Sequence, residues 1–162
     1  MDHSSTELPF LRQGSTGDLP ALLQLEKTCF VGDYAPHRFR SADFLAYLRN
    51  PSALFQLARA DGELVGYVAG VIRRKGGEPN TRLDSIAVLP AWRRRGVGRQ
   101  LLNWFLEESR RRQADRVTLE VLASNEAGRR WFAQASFREG RRLPNYYAAG
   151  VDGIELSRDL GE

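Results

Sequence analysis

A single cysteine among 162 residues rules out an intrachain disulfide framework, and Cys29 with two widely separated histidines does not supply a familiar structural zinc site. Metal chemistry is therefore not expected. Long hydrophobic runs are also missing: no apolar stretch approaches the roughly 18 residues that would span a bilayer, and the acidic, proline-containing start lacks the pattern of a signal peptide. The expectation is a cytoplasmic chain with no membrane contact. Zinc-finger, homeodomain and RNP spacings are absent too. The net charge of +4 is modest, so nucleic acid is not the expected partner. The arginines nevertheless cluster at 93–95, 110–112, 129–130 and 141–142, where they would draw anions. The length suits one domain spanning residues 1–162 with a real core, and residues 1–9 read as a loose lead-in.

Leu8, Phe10 and Leu11 can begin an edge strand. Asp18 is placed to cap a helix with Pro20 in its first turn and with Leu22, Leu25, Glu26 and Cys29 at helical intervals. Cys29 then reads as a small core residue. FVGDYAPHRFR reads as a loop, and Ser41 can open a short helix carrying Phe44, Leu45 and Leu48. LFQLARADGELVGYVAGVI reads as two strands turning at Asp61-Gly62, with Gly66 and Gly70 allowing a bulge or a close approach. TRLDSIAVL is a further strand ended by Pro90. Beyond Arg94, Val97, Leu101, Leu102 and Phe105 mark the inward side of a helix. DRVTLEVL is a strand, NEAGRRWFAQA a short helix, and FREGRRL with GIELSRDL a final strand pair. That order fits a single α/β sheet layered by helices.

The segment LDSIAVLPAWRRRGVGRQLL passes from strand to helix through three arginines and two glycines. At such a junction unpaired amides meet the positive end of the helix dipole, and Gly96 and Gly98 clear side chains from a phosphate's path. A nucleotide P-loop would need Gly-Lys followed by Ser or Thr, but Arg99 and Gln100 follow Gly98. A dinucleotide fingerprint would need glycine at Leu101. An arginine-rich helix start facing solvent is the plain alternative.

RRRGVG at Arg93–Gly98, with the strand and proline before it and the helix after it, resembles the acetyl-CoA motif of the Gcn5-related N-acetyltransferase superfamily. LEVLASNEAGRRWFAQASF and RRLPNYYAAGVDG further resemble its ribosomal-protein-alanine acetyltransferase branch. The resemblance covers residues 60–160 most strongly and implies a single mixed, twisted β-sheet flanked by helices, with acetyl-CoA as cofactor. It further implies that main-chain groups of Ile86, Ala87 and Val88 pair with the pantetheine arm. Amides from Arg94 through Val97 to Gly98 would hold the pyrophosphate, with Arg93, Arg94 and Arg95 adding charge. Asn125 would lie near the thioester end, though it is also a good helix N-cap. Phe132, which stands where that branch has a proton-donating tyrosine, would pack there without donating.

The implied reaction is attack by a neutral primary amine, most simply a protein or peptide N-terminus, in a ternary complex. Lysine or small-amine acceptors and a noncatalytic acetyl-CoA-binding module are the other readings. Glu120 aligns with the branch's glutamate as general base, and its side chain is expected on the strand face opposite Leu119 and Val121. A solvated position or an arginine partner is the alternative for it. Tyr146 or Tyr147 could replace the missing acid, or serve as aromatic lip residues. Asp33, Tyr34, Asp84, Tyr146 and Tyr147 are the candidate acceptor contacts. His37 reads as a surface loop residue.

Overall fold

The computed structural model describes residues 9–74 and 76–161. Seven strands form one sheet in the order β1-β2-β3-β4-β5-β7-β6. They are β1 (Phe10–Arg12), β2 (Ala53–Ala60), β3 (Glu63–Arg73), β4 (Asn80–Val88), β5 (Arg116–Leu122), β6 (Arg138–Ala148) and β7 (Val151–Asp159). The helices are α1 (Leu19–Cys29), α2 (Ser41–Arg49), α3 (Val97–Arg111) and α4 (Glu126–Gln134). Every pairing is antiparallel except β4 with β5, whose parallel connection is made by α3. The edge strand thus starts at Phe10; Leu8 and the rest of the proposed lead-in up to residue 8 lie outside the described residues.

β3 is buried on both faces, which explains its nearly unbroken apolar run. Val65, Val68 and Ile72 join the core beneath α3 and α4, whereas Leu64, Tyr67 and Ala69 join the core beneath α1 and α2. On α3, Val97, Leu101 and Phe105 are essentially inaccessible, each contributing roughly 1.5–3 kcal/mol of burial. Cys29 is half-buried against the α1–α2 core, and its thiol donates to the Val88 carbonyl at 3.4 Å.

Three local expectations change. Asp18 precedes α1, but its carboxylate makes no cap to that helix; it turns back to accept the Ser15 amide at 2.8 Å and pairs with Arg12 at 2.5 Å and Arg59 at 3.4 Å. The FVGDYAPHRFR segment is not an open loop, because Gly32–His37 winds into a 3-10 helix. The final strand pair is longer than FREGRRL with GIELSRDL: β6 continues through Tyr146 and Tyr147 before the chain turns at Gly150.

The feature that shapes the molecule is the β4–β5 junction. These strands pair only at Asn80↔Arg116, Thr81↔Val117 and Arg82↔Thr118, and then separate. The separation starts where β4 bulges: Ser85 faces Ala69 and Leu83 faces Gly70, leaving Asp84 as the extra residue. Gly70 is required there, since a Cβ would collide with the Arg82 carbonyl and lie 2.6 Å from the Phe105 ring.

Candidate active site

Antiparallel ladders alternate, so alternate residues turn their main-chain groups away from the partner strand. The Leu89 amide bonds the Val65 carbonyl at 2.9 Å, which fixes the phase on β4. Ile86 and Val88 therefore turn their amides and carbonyls into the β4–β5 gap. Ala87, expected alongside them, turns its own toward Tyr67 on β3 and is not available to a ligand in the gap. The Ala123–Asp152 bond at 2.9 Å sets the opposite wall, where Glu120 and Leu122 face inward.

At the wide end of the gap, α3 begins. Gly96 precedes it with φ +87°, a left-handed conformation that strains an L-residue, and no side chain caps the helix. The first capping-turn bond is Gln100 to the Gly96 carbonyl at 3.0 Å, so the amides of Val97, Gly98 and Arg99 find no acceptor among the described residues. Gly98 lies under Trp131, whose ring would be 3.1 Å from an added Cβ. Arg93 leans back onto the Val88 carbonyl at 3.1 Å, and Arg95 lies 4.8 Å above the Trp92 ring. The other arginine clusters are engaged: Arg110–Arg112 pair with Glu107 and Glu108, Arg129 with Glu139, Arg141 with Glu155 and Arg142 with Asp152. Arg93, Arg94 and Arg95 make no ion pair among the described residues. Three open amides and three exposed guanidinium groups around a glycine turn give this corner the hydrogen-bond donors and positive charge that suit an anion.

Deeper in the gap lies a cavity of about 190 Å³ whose walls include Ile86, Leu119, Glu120, Asn125, Phe132 and Tyr147. Leu119 and Val121 are buried with the α3 core and Glu120 projects from the opposite face. Its carboxylate is neither freely solvated nor isolated: Oε1 takes Arg82 at 2.5 Å and the Tyr146 hydroxyl at 2.6 Å. Asp84, the bulge residue, lies 3.3 Å from Arg82 and accepts the Tyr47 hydroxyl at 2.6 Å. Burial pushes the Asp84 carboxyl above its ordinary value against the opposing pull of Tyr47 and Arg82. Burial, reinforced by Glu120, likewise raises the Tyr146 phenol.

A further carboxylate, buried, borders the cavity. Glu26 accepts the Tyr67 hydroxyl and, at 2.8 Å, the Phe39 amide, while Ser85 lies 2.8 Å from the Tyr67 oxygen. Burial raises Glu26, and burial beside Glu26 raises Tyr67 well above a free phenol. Neither Tyr67, Ser85, Arg82 nor Tyr47 was marked as a site residue by sequence. Glu26 carried a signal, a carboxylate on the same inward stripe as Leu22 and Leu25.

Tyr34 reaches from the 3-10 helix across to β5, where its oxygen accepts the Leu122 amide at 2.9 Å and the Asn125 side chain at 3.0 Å. Asn125 also caps α4 by accepting the Gly128 amide at 3.0 Å, as expected of a helix N-cap, and it lines the cavity. Phe132 is buried against Phe137 and Trp131 and lines the cavity. Tyr147 stands edge-on to Tyr34 and to His37, whose Nε2 lies 2.8 Å from the Tyr147 carbonyl. His37 is exposed but ties the two walls together. Tyr146 sits behind Glu120 rather than on the cavity wall. Asp33, an expected acceptor contact, is exposed and outside that wall because the 3-10 helix turns it to solvent. Among the described residues no helix is long and apolar enough to cross a membrane, and no group of three His, Cys, Asp or Glu is placed to hold a metal ion.

The model of the acetyltransferase (GNAT) family matches residues 19–137. The N-alpha-acetyltransferase RimI of Mycobacterium tuberculosis is 34% identical over 147 residues, covering 90% of this chain and 89% of that protein. The [ribosomal protein bS18]-alanine N-acetyltransferase of Escherichia coli is 30% identical over 141 residues, covering 86% and 87%. The crystal structure of Ard1 from Thermoplasma volcanium superimposes with a TM-score of 0.83 at 25% identity over 96% of this chain and 100% of that one. A family match that spans most of the sheet and both sides of its gap settles what the Arg93–Gly98 segment had suggested: the chain belongs to the acetyltransferase (GNAT) family.

Proposed function

We propose that the chain transfers the acetyl group of acetyl-CoA to a primary amine, the α-amine of a protein N-terminus, by direct attack in a ternary complex. One observation carries this reading: the gap between β4 and β5 turns the main-chain groups of Ile86 and the amide of Val88 inward beside the open amides of Val97, Gly98 and Arg99. Those groups suit the amide-bearing arm and the pyrophosphate of acetyl-CoA. Ile86 and Val88 would hold the amide-bearing arm, the α3 amides with Arg93, Arg94 and Arg95 the pyrophosphate, and Asn125 and Phe132 would border the thioester. When bound, acetyl-CoA supplies an acetyl carbon activated by a thiol leaving group of pKa about 8.5.

The chain's own residues then govern the amine. A protonated amine has no lone pair, so a proton acceptor is needed at neutral pH. Glu120 takes that proton directly or through water. Arg82 and Tyr146 fix its carboxylate in one orientation, and the bulge at Asp84 holds a second carboxylate nearby to attract an ammonium. Tyr34 and Tyr147 stand edge-on, ring centroids 5.6 Å apart, on the wall past which a peptide end would enter. The α-amine is favoured as acceptor by the two relatives, whose names describe N-terminal and ribosomal-protein-alanine acetylation.

Calorimetry with acetyl-CoA, followed by product analysis on matched peptides carrying a free N-terminus, an internal lysine or neither, tests the proposal. Binding in the micromolar to millimolar range, about −8 to −4 kcal/mol, with acetylation at the N-terminus is expected. Preference for lysine or a polyamine would overturn the acceptor, and binding without any acetylated product would leave a noncatalytic module.

A further inference from the structure

We propose that Tyr34 is the catalytic proton donor to the departing thiol, a role that rests on the acetyl-transfer reading above. The cavity's inventory of protons leads to it. Phe132 has none to give. The Asn125 amide donates to Tyr34, and Ser85 is engaged with Tyr67, whose own proton goes to Glu26. His37 is committed through Nε2 to the Tyr147 carbonyl.

Two phenols remain on the wall, Tyr34 and Tyr147. Burial, together with the neighbouring Tyr34, Tyr146 and Glu120, pushes Tyr147 upward, which weakens it as an acid. Tyr34 is differently placed. Its oxygen accepts two N–H groups, from Leu122 and Asn125, and donates to no group among the described residues. Accepted hydrogen bonds stabilise the oxygen as its proton leaves, and they fix the position from which that proton is given. Leu122 ends β5 and Glu120 lies two residues deeper. The phenol thus stands two residues nearer the wide end than the carboxylate, the order in which the sulfur and the acyl carbon of an arm lying along β4 would meet them.

The step balances as follows. The amine nitrogen forms a bond to the acetyl carbon and the carbon–sulfur bond breaks. The sulfur takes the Tyr34 proton, and the nitrogen's proton passes to Glu120. Water returns a proton to Tyr34 and accepts the one from Glu120, so one proton moves in net from nitrogen to sulfur.

The test follows the ultraviolet absorbance of the thiolate of bound CoA through a pH titration, in the wild type and in Tyr34→Phe, alongside kcat and acetyl-CoA affinity. Loss of the phenolic donor should raise the pH at which bound CoA ionises by about one unit, a tenfold loss of thiolate stabilisation. It should lower kcat by about 10²-fold, with acetyl-CoA affinity changed less than about twofold, well under the tenfold per 1.4 kcal/mol of a lost contact. A role confined to propping Leu122 and Asn125 would leave the thiol titration unmoved, and that result overturns the proposal. So does a shift produced by Tyr147→Phe instead. Should Tyr34→Phe fail to fold, 3-fluorotyrosine at position 34 keeps both accepted bonds and should move the ionisation of bound CoA below the wild-type value; no movement would overturn the role. Unchanged titration with CoA bound removes Tyr34 alone, whereas failure of the wild type to bind CoA removes the acetyl-transfer reading with it.

Discussion

The two ends of the β4–β5 gap are built differently. The wide end is assembled from one continuous stretch, Ile86 through Arg99, and its gap-facing groups are main-chain amides and carbonyls held by a strand, a glycine turn and a helix start. The narrow end is assembled from four separate segments, which bring Tyr34, Asp84, Glu120 and Tyr147 to one place with side chains. Main-chain cradles are insensitive to side-chain identity but intolerant of a change in φ or of bulk. Side-chain constellations have the opposite character: each member can be replaced without disturbing the backbone, and each replacement changes the chemistry. The first end suits a constant group and the second a variable acceptor.

The largest effect should come from the wide end. Gly96→Val places a β-branched residue at φ +87°, at a backbone cost of about 1–2 kcal/mol. It should weaken acetyl-CoA binding by about 100-fold or more, roughly 2.8 kcal/mol, as read by calorimetry, while the circular dichroism spectrum is retained. Unchanged affinity would show that the α3 amides do not hold the ligand.

At the narrow end Glu120→Gln should leave acetyl-CoA binding intact and lower kcat/KM by about 10²-fold near neutral pH. The deficit should shrink as pH rises, because more of the acceptor amine is already neutral. A loss independent of pH would convert Glu120 from proton acceptor to a positioning partner of Arg82 and Tyr146.

The smallest effect concerns the support of the narrow end. Burial raises the Glu26 carboxyl above its ordinary value of 4.5, with Tyr67 and Phe39 only partly opposing. The folded chain therefore binds this proton more tightly than the unfolded chain, and the wild type loses stability as pH climbs from 4.5 through the raised value. Glu26→Gln has no proton to lose there. Its Tm relative to wild type should rise by a few degrees across that window, and a difference that stays flat with pH would show that Glu26 keeps an ordinary affinity for its proton.

Much of the architecture was legible because it is local. The apolar stripe of α3, the turn at Asp61-Gly62 and the alternation that puts Glu120 opposite Leu119 and Val121 are properties of neighbouring residues, and the structure keeps them. The 3-10 helix at Gly32–His37 and the continuation of β6 through Tyr147 were not legible, because each is held by a partner distant in sequence: Tyr34 by Leu122 and Asn125, His37 by Tyr147, and β6 by β7. Ala87 was misassigned for a related reason. Which residues of a strand face a gap depends on the phase of the ladder, and Leu89 bonding Val65 sets that phase.

By itself the sequence determined the family, the order of the elements and the glycine- and arginine-rich turn before α3, since Gly96, Gly98 and the arginine run act through their own backbone and charge. Only the tertiary structure decided which acids and phenols meet. The bulge at Asp84 and the end of pairing at Arg82 open the sheet, and into that opening Arg82, Glu120 and Tyr146 converge from three strands while Tyr34 enters from a helix. A contact between residues 34 and 122 exists only once the sheet has separated and α1 has packed against it, because its energy lies in geometry that no neighbouring residue specifies.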